Sequence, residues 1–218
     1  MCDVIPGILE KDWSSIEKKI HKARDFSKAI HIDIIDGKFA PNLTFLDPEP
    51  FKKYSDKILF EVHLMVEEPI DYLQAFANAG FRRFLGHIEK MSDQVEFVSK
   101  AQNLGEVGLV LDAPTPVEAI KADYQDLDAI LVMTVKAGFS GQKFMPECLD
   151  KVKKIKQKIE DEQLNPLVVE VDGGTNDKTI IQAKNAGATR FVATSFLFSD
   201  DPKQKFAQLK QLLSAGKR

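Results

Sequence analysis

Along this chain, short β-branched and apolar runs alternate with longer stretches whose apolar positions recur every three or four residues. The runs predict strands at Asp3–Ile8, Ala29–Ile34, Ile58–Met65, Arg83–Ile88, Val107–Leu111, Ala129–Val135, Pro166–Asp172 and Arg190–Ser195. The intervening stretches DWSSIEKKIHKARDF, EPIDYLQAFANAG, SDQVEFVSKAQNLG, TPVEAIKAD, MPECLDKVKKIKQKIEDE, NDKTIIQAKNAG and DPKQKFAQLKQLLSAG predict helices, and DPEPFKKYS a shorter one. Asp, Ser, Thr or Pro opens several of them, and Gly80, Gly105, Gly187 and Gly216 stand just past helix ends.

Strands that alternate with helices pair in parallel through crossover helices, and eight such units in 218 residues close into a single (β/α)8 TIM barrel. A doubly wound open sheet is the competing fold. It would carry a G-x-G-x-x-G turn after the first strand and gather its polar residues at one switch point, and the sequence has neither feature. No linker, low-complexity tract or charge block divides the chain, so residues 1–218 are expected to form one domain.

Composition narrows the partners. A net charge of -3, with lysines spread along helices, lacks the clustered positive field that nucleic acid requires. Two cysteines, Cys2 and Cys148, in no metal-type spacing, point away from a disulfide scaffold and toward a reducing compartment. The N-terminus has no long apolar segment of the secretory type, and no apolar run approaches the roughly 18 residues of a membrane span. The expectation is a cytoplasmic protein with neither membrane nor nucleic-acid partner.

In a barrel the reactive groups come from the C-terminal ends of strands and the loops after them. His31 and Asp33 end the second predicted strand, His63 and Met65 the third, His87 and Glu89 the fourth, and Asp172 the seventh; Asp112 follows the fifth. His31 and Asp33 are two residues apart and share one side of their strand. His31, Asp33, His63 and Asp172 would then converge on one centre, as a mixed N/O set suited to a divalent ion such as Zn²⁺, Mn²⁺, Fe²⁺ or Co²⁺, whose charge offsets the cost of ionisable groups in a core. A single histidine near a strand end is usually a hydrogen-bonded structural residue; the joint placement of four groups carries the metal reading. His21 reads as a surface residue, and His87 as a residue of the same mouth without an obvious partner.

Three loops suit an anion: Ala137–Gln142, Asp172–Thr175 and Ala193–Phe196 follow the last three strands and contain glycines or hydroxyls. Each alone is also what a tight turn needs. Met65 and Met133 serve equally as cavity lining or core filler. Asp36 with Gly37 reads as a turn, and the lysines of KVKKIKQKIEDE as a solvated helix face.

The segments HIDIIDGKFAPNLT, VHLMVEEP, GLVLDAPTPVEAI, VMTVKAGFSGQKF and VEVDGGT resemble, in order and spacing, those of the ribulose-phosphate 3-epimerase family, over about Val4 to Phe198. The resemblance implies a barrel that interconverts D-ribulose 5-phosphate and D-xylulose 5-phosphate in the pentose phosphate pathway. It implies that His31, Asp33, His63 and Asp172 hold one divalent metal ion and that Asp33 and Asp172 are the catalytic acid/base pair. It assigns His63, Met65, Met133, Gly138, Phe139, Ser140, Gly141, Gly173, Gly174 and Ser195 to the substrate, the glycine loops and Ser195 chiefly to its phosphate, and leads one to expect a homo-oligomer. The chain departs from the family pattern at Gly7 (usually Ser), Ile35 (usually Met), Lys136 (often acidic or Asn), Ala137 (usually Pro) and Thr194 (usually Gly). Two alternatives therefore stand beside the first reading: a 3-epimerase of another ketose phosphate, such as D-allulose 6-phosphate, and a barrel that binds a sugar phosphate without turning it over.

Overall fold

The computed structural model describes residues 2–164 and 167–215. Eight parallel strands form a closed barrel in sequence order, β1 (Asp3–Ile8), β2 (Ala29–Ile35), β3 (Leu59–Met65), β4 (Arg83–His87), β5 (Glu106–Leu111), β6 (Ala129–Met133), β7 (Val168–Asp172) and β8 (Arg190–Ala193), with β8 pairing back onto β1. The expected TIM barrel is the fold. β1 has the expected ends and those of the other strands differ by one to two residues; β8 stops at Ala193, before Thr194, whose carbonyl accepts from Phe198 N in the turn that follows. Pro166 and Gly216, named above, lie outside the described residues.

Strand alternation sorts the side chains into two cores. Ile30, Ile32 and Ile34 of β2 and Phe60, Val62 and Leu64 of β3 pack outward with the helices, in the same cluster as Ile16, Ile20 and Phe51. Ile35, Met65, Leu85, Val110, Leu131 and Met133 fill the barrel interior. Each fully buried Ile, Leu or Phe contributes roughly 1.5–3 kcal/mol relative to exposure, so the outer cluster dominates stability.

Six α-helices are present among the described residues: α1 (Trp13–Ala23), α2 (Leu73–Asn78), α3 (Gln94–Gln102), α4 (Leu149–Asp161), α5 (Thr179–Ala186) and α6 (Pro202–Ser214). Side chains cap them where the sequence offers an aspartate: Asp12 accepts from Ser15 N, Asp93 from Glu96 N, and Asp201 from Lys203 N and Gln204 N. Gly187, at φ +117°, ends α5 in the left-handed region.

Two helix expectations need correction. TPVEAIKAD forms only a 3₁₀ turn, Val117–Ala119. Gln94 of α3 holds this segment instead, donating to Ala119 O at 3.0 Å and accepting from Lys121 N at 2.7 Å, which satisfies the backbone without a helix. DPEPFKKYS is likewise 3₁₀, over Glu49–Tyr54. The lysine run of α4 is mostly solvated, but Lys151 is half-buried and donates to the carbonyls of Asp112, Ala113 and Thr115, tying α4 to the end of β5. Both cysteines are free thiols.

Candidate active site

The register of β2 against β3 sets Asp33 beside His63 and His31 beside Glu61, and that of β6 against β7 sets Met133 beside Asp172. All these side chains point into the barrel. Their donor atoms converge. His31 Nε2 lies 3.2 Å from Asp33 Oδ1, 3.2 Å from His63 Nδ1 and 3.9 Å from Asp172 Oδ2. His63 Nδ1 lies 2.9 Å from Asp33 Oδ1 and 3.6 Å from Asp172 Oδ2. A tetrahedral ion with bonds of about 2.0–2.1 Å spaces its ligands roughly 3.3–3.4 Å apart, so the four groups fit one divalent cation. The four residues are all buried.

Protein partners turn both imidazoles toward the centre. His31 Nδ1 is 2.7 Å from Glu61 Oε1, and with its Nδ1–H donated there its Nε2 lone pair faces the cluster. On the other side His63 Nε2 is 3.0 Å from His87 Nε2, and His87 Nδ1 is 2.9 Å from Glu89 Oε2. Burial above all lowers the pKa of His87 and keeps that ring neutral. A neutral His87 that donates Nδ1–H to Glu89 can accept only at Nε2, so His63 donates Nε2–H and presents Nδ1 to the centre. His87, expected without a partner, thus has two.

The electrostatics favour positive charge at this point. Burial opposes ionisation of His31, but the Asp33 and Glu61 carboxylates on either side raise its pKa well above the ordinary imidazole range, so the pair selects a proton or a metal. Burial likewise opposes charge on Asp33, but His31 and His63 outweigh it and hold this carboxyl well below the usual range. Asp172 goes the other way: burial and the neighbouring Asp33 charge push it up to about 6. The two carboxyls therefore differ in their hold on a proton, and they belong to β2 and β7, across the barrel.

Beneath the cluster is a second buried charged layer that the sequence reading did not assign. Glu61 and Glu170 stand two residues before His63 and Asp172, on the same strand faces. Arg190 reaches Glu170 at 3.2 Å and Glu61 at 3.4 Å, and Arg83 lies 3.7 Å from Glu61. Burial and the Glu61 charge push Glu170 up to about 8, whereas His31, Arg190 and Arg83 overcome burial and hold Glu61 at about 2. The spacing rule that paired His31 with Asp33 was the available signal.

Above the cluster a cavity opens at the C-terminal mouth of the barrel. Asp33, Met65, Met133, Gly138, Phe139, Ser140, Gly141, Asp172, Gly173, Gly174 and Ser195 line it, together with Leu9, Thr175 and Thr194. His31 and His63 are fully buried against Asp33 and Asp172 and are not among the residues that line it, so His63, expected at the substrate, does not face the cavity directly. The loops around it are tied together by short polar side chains. Asp36 accepts from the N–H groups of Lys38, Phe39 and Glu67; Asn42 donates to Gly138 O at 2.7 Å; and Thr44 joins Ile35 N to Asp33 O. Asp36 is thus a turn residue, as expected, that also joins the loops after β2 and β3.

Two departures from the family pattern share one space. A Cβ at Gly7 would stand 2.3 Å from Thr194 Oγ1 and 2.7 Å from Val192 Cγ1, so the β8 side chains fill the volume that a side chain on β1 would need. Lys136 and Ala137 sit at the start of the β6 loop, where Ala137 N donates to Asp112 Oδ1.

A family model described as the ribulose-phosphate 3 epimerase family matches residues 3–198. The ribulose-phosphate 3-epimerase of Bacillus subtilis is 36% identical over 209 residues, covering 94% of this chain and 96% of that protein. That of Schizosaccharomyces pombe is 37% identical over 215 residues, covering 95% and 92%. Among solved structures, KGPDC from Streptococcus mutans superposes with a TM-score of 0.71 at 10% identity, covering 100% of each chain. Phosphoribosyl anthranilate isomerase from Thermus thermophilus gives 0.65 at 12%, covering 99% of each. At these identities the structural matches speak for the fold alone.

Proposed function

The chain belongs to the ribulose-phosphate 3-epimerase family, and from that premise we propose that it is a metal-dependent epimerase that inverts C3 of a ketose phosphate, converting D-ribulose 5-phosphate to D-xylulose 5-phosphate. The observation that carries the reading is the buried cluster of His31, Asp33, His63 and Asp172, whose donor atoms all lie within 4.8 Å of one another and whose two aspartates line the mouth cavity. His31 Nε2, Asp33 Oδ1, His63 Nδ1 and Asp172 Oδ2 would hold one Zn²⁺, Mn²⁺, Fe²⁺ or Co²⁺. When bound, the ion supplies Lewis-acid stabilisation of negative charge that develops on the substrate oxygens.

The rest of the chemistry falls to side chains of the chain itself. Inversion next to a carbonyl needs a base on one face of C3 and an acid on the other. In the forward direction Asp33, held ionised, takes the C3 proton and leaves an enediolate; Asp172, whose pKa is pushed up to about 6, returns a proton to the opposite face. Reversal exchanges the roles. Met65 and Met133 offer an apolar wall beside the reacting carbon, and the glycine-bearing loops of β6 and β7, with Ser195 after β8, offer N–H groups to the phosphate.

Solvent-deuterium exchange at C3 of D-ribulose 5-phosphate, with Zn²⁺ or Mn²⁺ supplied, tests the proposal. Deuterium incorporation together with xylulose 5-phosphate formation is expected; a loaded protein that exchanges nothing would be a sugar-phosphate binder. Retention of both carboxylates speaks against that outcome. A second reading, a 6-phosphate hexulose as substrate, is favoured by Thr194 in the cavity lining and Gly7 beneath it. Higher kcat/KM on allulose 6-phosphate than on ribulose 5-phosphate would establish it.

The His63–His87–Glu89 chain gives a separate expectation. His87→Phe removes the acceptor that fixes the His63 tautomer, and loss of such a support typically weakens metal binding about 10- to 100-fold. Chelator competition with Zn²⁺ measures it; an unchanged dissociation constant would show that His87 does not orient His63.

A further inference from the structure

In the loop after β7, short polar side chains bond the backbone, and one buried hydroxyl is left over. Thr179 Oγ1 donates to Gly174 O at 2.8 Å and accepts from Asn176 N at 2.9 Å. Asn176 accepts from Lys178 N and Thr179 N and donates to Gly174 O. Thr175, between Gly174 and Asn176 in the chain, is only 6% exposed, and its Oγ1 has no hydrogen-bond partner among the described residues. A buried hydroxyl with no partner is destabilising, and a native site that keeps one calls for a functional or bound partner to account for it.

We propose that the Thr175 hydroxyl donates a hydrogen bond to the phosphate of the bound sugar phosphate. The proposal rests on the epimerase reading for the identity of that anion. Thr175 lines the catalytic cavity and also a second, outer cavity that continues from it past Lys143, Asn176 and Ser195. It therefore stands where the two meet. The inner end holds Asp33 and Asp172, which must reach C3 and which repel a phosphate. The phosphate on C5 accordingly extends outward, toward Thr175 and the amides of Gly173 and Gly174. Both glycines are in the left-handed region, at φ +113° and +65°, and a Cβ on Gly174 would meet the Phe144 backbone at 2.9 Å. The Phe144 main chain thus packs tightly against Gly174, next to the threonine in the chain.

Thr175→Val keeps the shape and removes the hydroxyl. A hydrogen bond from a neutral donor to a charged group corresponds to about a 10- to 100-fold effect on binding, so KM for D-ribulose 5-phosphate should rise by about that factor while kcat stays within about twofold. Unphosphorylated D-ribulose is the control: its turnover should be equal in the two proteins, and Thr175→Ser should restore the KM. An unchanged KM, or equal losses on both sugars, would overturn the proposal. Inorganic phosphate, titrated calorimetrically into wild type and Thr175→Val, separates it from the functional reading. If neither sugar is turned over but the valine variant binds phosphate at least tenfold more weakly, the epimerase assignment fails and the Thr175 contact stands. Equal phosphate binding sinks the contact even in an active epimerase.

Discussion

Asp172→Asn lowers the rate of C3 epimerisation by about 10³-fold or more, in both directions, in protein that retains its fold. Acid–base groups positioned on a reacting proton typically contribute 10²–10⁴-fold, and Asn can neither give nor take that proton. Asn also cannot reproduce the charge of a ligand, so Zn²⁺ affinity falls with the rate; assays at saturating metal separate the two losses. Asp33→Asn has the same direction, with a larger effect on metal, because Asp33 Oδ1 contacts both imidazoles, at 3.2 and 2.9 Å. Each variant is measured by coupled detection of xylulose 5-phosphate and by deuterium incorporation at C3. Activity within tenfold of wild type at saturating metal, for either substitution, would remove that residue from the proton-transfer pair.

Arg190→Met is expected to cost about 3–5 kcal/mol of stability, because it leaves the buried, ionised Glu61 without its closer guanidinium. Arg190 is 8% exposed and faces Glu61 and Glu170, both fully buried. For a chain of this size, each kcal/mol moves the melting temperature by roughly 2–4 °C, so a fall of roughly 6–20 °C follows. The double variant Arg190→Met with Glu170→Leu removes only the carboxyl that is already pushed up to about 8, so it should recover little of the loss, which comes from the ionised Glu61. Glu61 is kept in that variant, since it also orients His31. Denaturant melts of the metal-free proteins measure the effect; a single variant within 1 kcal/mol of wild type would show that solvent reaches this layer and screens it.

The barrel was legible because β/α alternation repeats eight times, and each repeat is a separate statement of the same fold. The candidate metal cluster was legible because strand alternation alone puts His31 with Asp33, and corresponding strand ends put them with His63 and Asp172. Other features depend on register between strands, which one sequence does not display. Glu61 and Arg190 are 129 residues apart and meet only when β8 closes against β1, and His87 finds His63 only through the β3–β4 pairing. The missing helix at 115–123 had apolar spacing of the right kind, but the Gln94 side chain supplies backbone hydrogen bonds that compete with it.

The shared space between Gly7 and Thr194 has a consequence for anyone who alters this protein. A side chain at position 7 collides with the Thr194 hydroxyl and the Val192 methyl as they stand, so Gly7→Ser by itself will behave as a damaging change. In a background of Thr194→Gly, with Val192 free to turn, the same serine should be accepted. A library that varies one site at a time would score position 7 as intolerant and miss the route by which the two sites change together.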